Sequence, residues 1–184
     1  KITSTETFET TGSVQFDGGS VLSVPNSADF RLGNDDFTIE FWFLYEPQIT
    51  SNRTLFSFFE NASVNRRSYQ TEIRSDGKIR FEYTTDGGST GQAFDSAAGA
   101  VVSSTWYHYA VTRTNGVLTQ YLDGKSVSTG FVGTDSFFNN TDDPFRIGVL
   151  NAANDQDFFG FVSNFRLIKG TALYTADFKP PMRE

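Results

Sequence analysis

Apolar and polar residues alternate along most of this chain. The clearest example is DFTIEFWFLY at 36–45, where phenylalanine or isoleucine stands at every odd position from 37 to 43. Because successive side chains of a β-strand point to opposite faces, this alternation predicts a strand with one face in a core. Similar patterns predict further strands, singly or in pairs, at 13–25, 54–60, 69–84, 106–129, 145–150 and 159–167.

Short turn signals separate these patterns. Asp76-Gly77 predicts a two-residue turn in a hairpin, and Asn115-Gly116 and Asp123-Gly124 predict two more turns. No long window has a clear helical period, and the small residues of 93–104 favour an irregular or short helical link. About a dozen short strands, with no internal repeat or linker, predict a single all-β domain over 1–184, built as a two-sheet sandwich or jelly roll.

The two ends of the chain are predicted to meet in one sheet. The first strand pattern, 13–16, and the last, 159–167, both look internal to a sheet, and pairing them would close the sandwich. Gly170 then predicts a turn that takes the chain off the sheet. Pro180-Pro181 ends strand pairing because proline cannot donate a ladder hydrogen bond.

Composition supports an all-β fold and removes several function classes. Twenty residues are Phe, and aromatic residues favour pleated, half-buried surfaces. There is no Cys, which removes disulfides, thiolate catalysis and cysteine metal sites. The formal net charge of −7 argues against nucleic-acid binding, and no apolar run is long enough to predict membrane insertion. An extracellular fold without disulfides is more at home in bacteria or viruses than in animals.

Five stretches carry a family resemblance. They are VQFDGGSVLSVPNSADF (14–30), DDFTIEFWF (35–43), WYHYAVTRTNGVLTQYLDGKSV (106–127), FRIG (145–148) and FFGFVSNFRLIKGTALYTADFKPP (158–181). Over residues 12–181 the chain resembles the concanavalin A-like lectin/glucanase superfamily, in its laminin G-like (LamG-like, pentraxin-related) branch. The resemblance implies an antiparallel jelly-roll β-sandwich that binds glycans, other proteins or cell surfaces. The last stretch is similar to a version frequent in bacteriophage structural proteins and large bacterial surface proteins.

Catalysis is not expected. Laminarinase-type glycosidases of this superfamily need two carboxylates that flank the scissile bond, and their Glu-x-Asp-x-x-Glu pattern is absent from this chain. His108 is the only histidine, so by itself it builds neither a catalytic triad nor a multi-histidine metal site. No Gly-x-Ser-x-Gly nucleophile motif occurs.

A calcium ion is implied by the resemblance, since many relatives carry one. The resemblance points to Asp17, in the FDGG turn, and Asp157, just before the last strand, as the ligand pair. A second oxygen-rich loop, 139–143, lies close in sequence to 154–157, and calcium prefers oxygen ligands. The alternative is that these Asp and Asn residues only bond their own backbone in turns.

Two surfaces are candidates for binding a glycan. The first is the polar side of the central strands, which would form one cluster if it is the open concave face. That cluster would contain Gln70, Glu72, Arg74, Arg80, Glu82, His108 and Gln120, with Trp42, Tyr69, Tyr83 and Tyr107 as aromatic rings for the apolar face of a sugar. The alternative, which the family pattern favours, places Trp42 and Trp106 in the core. It treats charges such as Glu72 and Arg80 as simple cross-strand pairs.

The second surface consists of rim loops at 60–69 and 139–157. It is the favoured one, because binding residues concentrate on loops that a rigid scaffold holds. Its candidate ligand-binding residues are Asn65, Arg66, Arg67, Asn139, Asn140, Asp142 and Asp143.

Two functions remain open. The first is a non-catalytic glycan-recognition module of a bacterial adhesin or of a phage tail or fibre, extracellular or on a virion surface. The second is a structural or decoration domain with no sugar site, whose contact with a partner protein would use Phe137-Phe138 and Phe158-Phe159. The alternative for these four residues is a place in the core. A homo-oligomer formed through the parent protein is compatible with either function.

Overall fold

The computed structural model describes residues 2–8, 11–46, 51–60, 65–88, 91–153 and 156–181, with the backbone alone for 2–8 and 11. Within these residues the chain forms thirteen β-strands and one turn of 3-10 helix at Ala28–Phe30. The strands are β1 (Ile2–Phe8), β2 (Thr11–Asp17), β3 (Leu22–Val24), β4 (Phe37–Tyr45), β5 (Arg53–Phe59), β6 (Arg67–Ile73), β7 (Ile79–Tyr83), β8 (Gln92–Asp95), β9 (Trp106–Thr114), β10 (Val117–Leu122), β11 (Lys125–Phe131), β12 (Phe145–Ile147) and β13 (Phe159–Lys169). None of the described helical segments has the length and apolar character needed to cross a lipid bilayer.

The strands form two antiparallel sheets that face each other as a sandwich. The seven-stranded sheet has the order β1-β2-β13-β4-β9-β10-β11, and the six-stranded sheet has the order β3-β12-β5-β6-β7-β8. β13 lies between β2 and β4, and its Phe159 stands opposite Asp17. The predicted all-β sandwich and the predicted pairing of the first and last strand patterns are both confirmed.

The core between the sheets is built mainly from aromatic rings. Phe37, Ile39, Phe41 and Phe43 of β4 point into it and are at most 1% exposed, as the alternation predicts. The cluster also contains Phe56, Tyr69, Phe81, Tyr109 and Phe145, among others. Burying this much aromatic surface supplies the main stabilisation of a fold that contains no disulfide.

The predicted turns differ in length from one hairpin to the next. Asn115-Gly116 and Asp123-Gly124 are two-residue turns, with Thr114 paired to Val117 and Leu122 paired to Lys125. The hairpin between β6 and β7 instead uses three loop residues, 75–77, because the Arg74 N–H donates to Lys78 O (2.8 Å) and the Gly77 N–H donates to Arg74 O (2.9 Å). The prediction of a two-residue turn at Asp76-Gly77 is therefore wrong by one residue.

The segment 93–104 is not wholly irregular. Its first residues belong to strand β8, which pairs with β7 and forms one edge of the six-stranded sheet. The remaining residues form turns and bends, and the Val101 N–H donates to Gly77 O (3.0 Å). The predicted link therefore begins after Asp95, because pairing with β7 extends the sheet by one more strand.

Residues 170–181, here called the tail, lie across the outer face of the seven-stranded sheet. The Gly170 N–H donates to Asp36 O (2.7 Å), and the chain leaves β13 at this point, as predicted. The tail is then fixed by Thr38 Oγ1, which donates to Thr171 O (2.9 Å), and by Thr112 Oγ1, which donates to Tyr174 O (3.0 Å). Because the tail covers it, β4 is buried on both faces.

Candidate functional site

The outer face of the six-stranded sheet carries a row of polar side chains. In β6, Tyr69 and Ile73 belong to the core, so the alternate residues Gln70 and Glu72 face outward. The register places Gln70 opposite Glu82 and Glu72 opposite Arg80 of β7. The predicted polar cluster of these two strands is therefore present on one face.

The segment made of residues 148–153 and Gln156 folds back over this face and makes one wall of a groove. Residues 154 and 155, part of the predicted oxygen-rich stretch 154–157, lie outside the described residues. Ser57 Oγ of β5 donates to Val149 O (2.9 Å) and to Leu150 O (2.7 Å). The Thr54 N–H donates to Gln156 O (2.9 Å). These bonds fix the segment beside β5 and β6 and leave a cavity of about 150 Å³ between them.

This cavity, here called the outer-face groove, combines polar and apolar side chains. The residues that line it are Asn52, Phe59, Arg67, Gln70, Glu72, Arg74, Glu82, Leu150 and Gln156. The groove joins four residues of the first predicted surface to residues from both loops of the second. The former are Gln70, Glu72, Arg74 and Glu82, and the latter are Arg67, Leu150 and Gln156. Leu150 and Gln156 lie in the predicted loop 139–157, but sequence analysis did not name them as candidate residues or place them beside β6. Only the return of the chain across β5 brings them there.

Hydrogen bonds within the groove leave two polar atoms without a partner. Arg74 Nη1 donates to Glu72 Oε1 (2.8 Å), and Gln70 Nε2 donates to Glu82 Oε2 (3.2 Å). Among the described residues, Arg67 Nε finds no acceptor and Gln70 Oε1 finds no donor, although both atoms are buried. The Arg67 guanidinium carbon lies 5.8 Å from the centre of the Phe59 ring. Buried polar groups are normally paired, so these two atoms mark a place where a ligand can complete the bonding.

Burial also affects the acidic residues of the groove. The pKa of Glu72 is raised, chiefly by burial, although Arg74 and Arg80 act in the opposite direction. Arg80 itself bonds toward β8, with Nε and Nη2 donating to the two carboxylate oxygens of Asp95 (2.6 and 2.9 Å). Arg80 therefore stands on the predicted face but outside the lining of the groove.

The predicted rim loops are joined mainly to each other. Arg66 pairs with Asp142 (3.4 Å) and with Asp143 (3.2 Å). Asn140 is fully buried, and its Oδ1 accepts from the N–H groups of Asp142 and Asp143 (both 3.1 Å). The prediction that Asn140 contacts a ligand is therefore wrong, because its side chain is fully buried within the loop contacts. Asp143 is 6% exposed and pairs with Arg66, and it stays a prediction. Asn65, Arg66, Asn139 and Asp142 are at least partly exposed and stay predictions, while 61–64 lie outside the described residues.

The aromatic rings predicted for sugar contact lie elsewhere. Tyr69 and Tyr83 are at most 1% exposed, and their hydroxyls donate to Phe30 O (2.8 Å) and to Asp135 Oδ2 (2.7 Å). The prediction is wrong for these two tyrosines, because they have the strand parity that faces the core. Trp42 and Tyr107 belong to β4 and β9 of the opposite sheet and do not line the groove.

His108 and Gln120 do not join the polar cluster, which corrects the prediction. Both residues belong to strands of the seven-stranded sheet. Gln120 is fully buried, accepts from the Tyr109 hydroxyl (2.9 Å) and donates to Phe94 O (2.9 Å). His108 lies beneath the tail, with its Nε2 3.2 Å from Glu40 Oε2.

The outer face of the seven-stranded sheet has a cavity of its own, of about 250 Å³. It is lined by Glu40, Trp42, His108, Asn164, Arg166 and Pro181. Arg166 donates to Glu40 Oε1 through Nε (2.6 Å) and through Nη2, and the Tyr174 hydroxyl donates to Glu40 Oε2 (2.7 Å). Since both oxygens of Glu40 are already bonded, this cluster joins β4, β13 and the tail. His108 Nδ1 is also buried here without a hydrogen-bond partner among the described residues. The outer-face groove is still the better ligand site, although it is smaller, because it combines an unsatisfied donor with an unsatisfied acceptor.

Because of Glu40, the fold is expected to lose stability at acid pH. Burial acts to raise the pKa of Glu40, but the bonds from His108, Tyr174 and Arg166 outweigh it and lower that pKa from 4.5 to about 2. The contribution of Glu40 to stability is thus complete above its unfolded pKa and is lost as the pH falls through the folded value. We expect the difference in unfolding free energy between the wild type and Glu40→Gln to shrink by about 2–3 kcal/mol from pH 5 to pH 2. Urea unfolding at each pH measures it, and an unchanged difference would contradict the assignment.

Of the two aspartates predicted as calcium ligands, Asp17 makes the hydrogen bonds of a turn. Asp17 Oδ1 accepts from the Gly19 N–H (3.2 Å) and from Ser20 Oγ (2.7 Å), and the Ser20 and Gly19 bonds lower the Asp17 pKa. Asp157 stands two residues before Phe159, the cross-strand neighbour of Asp17. Over the described part of the chain, no three His, Cys, Asp or Glu side chains are placed to hold a metal ion together. A calcium site here would need further oxygen ligands, such as backbone carbonyls, side-chain amides or water, so calcium stays a prediction.

The phenylalanine pairs predicted as a protein contact are largely internal. Phe137 and Phe158 are at most 2% exposed and belong to the core cluster. Phe138 and Phe159 are only partly buried, and the Phe159 ring lies 5.0 Å from the guanidinium carbon of Arg53. The prediction of a contact patch is therefore wrong for Phe137 and Phe158.

Several solved structures share this fold. The CBM40 of the Ruminococcus gnavus IT-sialidase, bound to α2,6-sialyllactose, has a TM-score of 0.73 and 15% sequence identity, over 89% of this chain and 92% of that chain. Domains LG4-5 of the mouse laminin α1 chain have a TM-score of 0.62 and 20% identity, over 84% of this chain and 40% of that chain. The heptameric SAP-like pentraxin of Limulus polyphemus has a TM-score of 0.59 and 13% identity, over 84% and 74%. At these identities the likeness shows the fold alone.

Sequence comparison gives the family. No curated protein matches the chain significantly. The Laminin_G_3 family model, of the concanavalin A-like lectin/glucanases superfamily, matches residues 16–175, most of the chain. With this match and the two-sheet sandwich in agreement, the chain belongs to the concanavalin A-like lectin/glucanases superfamily, in its Laminin_G_3 family.

Proposed function

We propose that this chain is a non-catalytic glycan-recognition module whose sugar site is the outer-face groove. The observation that carries the proposal is the pair of unsatisfied atoms in the groove, the Arg67 Nε donor and the Gln70 Oε1 acceptor. A sugar hydroxyl both donates and accepts hydrogen bonds, so adjacent hydroxyls can satisfy the two atoms after small side-chain rotations. Leu150 offers an apolar wall for the C–H groups of the ring.

The comparisons support glycan recognition, but they do not identify the glycan that this chain binds. The Ruminococcus gnavus module of the same fold binds sialyllactose, and the two chains cover each other almost fully. The likeness of the last stretch to phage structural proteins and bacterial surface proteins favours a parent protein on a virion or outside a cell. In that setting, a glycan on a cell surface is the natural partner.

The alternative is a structural or protein-binding domain, and one feature favours it. The short edge strand β3 and the residue before it expose three apolar side chains, Val21, Leu22 and Val24, each at least 40% exposed. Exposed apolar side chains on a sheet edge can pair with another protein. The groove is preferred because it also contains buried polar atoms without partners.

A glycan array, probed with the whole chain in calcium and again in EDTA, tests the proposal. We expect binding to at least one glycan class, and at least about tenfold weaker binding by Arg67→Met and by Gln70→Met. These substitutions keep side-chain volume and remove the two unsatisfied atoms. Loss of binding in EDTA would support the proposed calcium ion, and unchanged binding would remove calcium from the recognition step.

Matched variants on the same sheet serve as controls. Lys78→Met removes a positive charge that pairs with Asp76 in the turn before β7, outside the groove, and Gln92→Met changes an exposed glutamine of β8. Both should bind as the wild type does, and thermal unfolding shows whether each variant is folded. Silence of the array in calcium and in EDTA would contradict glycan binding. Equal binding by wild type, Arg67→Met and Gln70→Met would instead place the sugar site elsewhere.

A further inference from the structure

The outer-face groove contains equal numbers of positive and negative groups. Arg67 and Arg74 stand against Glu72 and Glu82. We propose that the groove selects sugars without a formal charge and discriminates against those that carry a carboxylate. This inference rests on the proposed glycan-binding function and names the class of sugar that the site accepts.

Ion pairing inside the groove leaves one positive and one negative side chain without an oppositely charged partner. Arg74 is neutralised by Glu72, which is only 2% exposed, at 2.8 Å. Over the described ranges, neither Arg67 nor Glu82 forms an ion pair within 4.0 Å. Glu82 accepts one hydrogen bond, from Gln70. A ligand in the groove therefore meets a positively charged donor, Arg67, and a negatively charged acceptor, Glu82, and these two groups do not form an ion pair with each other.

Neutral hydroxyl groups fit this pair better than a carboxylate does. A hydroxyl can accept from Arg67 while another donates to Glu82, and both hydrogen bonds are strengthened by the charge on the protein. A carboxylate would satisfy Arg67, but it cannot donate to Glu82 and would add a third negative charge beside Glu72 and Glu82. In a partly desolvated groove, that repulsion is larger than in water.

Two further observations point in the same direction. The pKa of Glu72 is raised chiefly by burial, so this position holds a negative charge less well than water does, in spite of two nearby arginines. The chain as a whole has a net charge of −7, which disfavours the approach of acidic polysaccharides. The inference therefore departs from the sialyllactose that the Ruminococcus gnavus module binds, since sialic acid contains a carboxylate.

A paired glycan array tests the inference on the intact chain. Each acidic glycan, such as 3′-sialyllactose, is printed beside its neutral parent, such as lactose, and the ratio of the two affinities is measured. We expect the neutral member of a bound pair to bind at least about tenfold more tightly. In Glu82→Gln the unpaired negative charge is gone, so the ratio should move at least about fivefold toward the acidic glycan.

Glu46→Gln is the matched control, because it makes the same change of charge at an exposed position just after β4. It should leave the ratio unchanged. If Glu82→Gln does not fold, the wild type is measured between about 0.05 and 0.5 M salt instead, where screening should move the ratio toward the acidic glycan.

The outcomes separate this inference from the proposed function. Tighter binding of the acidic glycan, lost in Arg67→Met, would overturn the inference and leave glycan binding in the groove intact. A ratio that responds equally to Glu46→Gln and Glu82→Gln would also overturn it, because the effect would then come from the overall charge. Silence toward both classes of glycan would overturn the inference and the proposed function together.

Discussion

Phe56→Ala is expected to lower the free energy of unfolding by about 3–5 kcal/mol, because it opens a cavity at the centre of the core. Phe56 of β5 is fully buried. Its ring centre lies 5.9 Å from that of Phe41, 5.8 Å from that of Phe145 and 5.7 Å from that of Phe165, so it touches both sheets. The backbone ladders on either side of β5 limit how far the cavity can close. Urea unfolding followed by fluorescence measures the loss.

Phe131→Ala is the matched control for this prediction. Phe131 ends the edge strand β11 and is 80% exposed, so its removal should change stability by no more than about 0.5 kcal/mol. A loss below about 1 kcal/mol for Phe56→Ala would mean that the aromatic core is loosely packed. Equal losses for the two variants would mean that burial does not decide stability here.

Gly124→Ala is expected to lower stability by about 2–4 kcal/mol and to release the tail from the sheet. Gly124 has a φ of 74°, which alanine adopts only at a cost. A Cβ atom at this position would lie 1.9 Å from Phe178 O, a backbone atom of the tail that cannot simply rotate away. The hydrogen bond from the Phe178 N–H to Gly124 O (2.9 Å) would break as the two segments separate. Limited proteolysis with chymotrypsin should then cleave the tail at Tyr174 or Phe178 faster than in the wild type.

Gly99→Ala separates the two parts of this effect. Gly99 has nearly the same φ, 72°, but no atom lies within 4 Å of the added Cβ. This variant should therefore lose only the conformational cost of about 1–2 kcal/mol and keep its tail protected. Equal rates of tail cleavage in Gly99→Ala and Gly124→Ala would show that the contact with Phe178 does not hold the tail.

The alternation of apolar residues predicts most of the fold because it reports which side of a strand is buried. It places Phe37 in the core and Glu72 on the outer face. The apolar residues of the first and last strand patterns also predict that both strands lie inside a sheet, where they can pair. The same rule separates Tyr69 from Glu72, since the two have opposite parity in one strand. Parity alone therefore predicts that Tyr69 faces the core and that Glu72 can reach a ligand.

Other parts of the site depend on contacts that no local pattern reports. Parity places His108 on a face of its own strand, but it does not say which of the two sheets contains that strand. Leu150 and Gln156 reach the groove only because the chain returns across β5 through Ser57 and Thr54. The sequence does not report the length of the turn at Asp76-Gly77 either. Two-residue and three-residue hairpin loops both favour a glycine at a position of positive φ, so Gly77 suits either length.

The position of β13 between β2 and β4 also has a consequence for the order of events during synthesis. Until residues 159–169 have left the ribosome, β2 and β4 cannot be joined, and each keeps an open edge of unpaired backbone groups. The outer face of β4 is covered later still, because Tyr174 of the tail, which bonds to Glu40, is 134 residues further along the chain. The seven-stranded sheet is therefore completed only after translation of its last strand, and the nascent chain must be kept from edge-to-edge association until then.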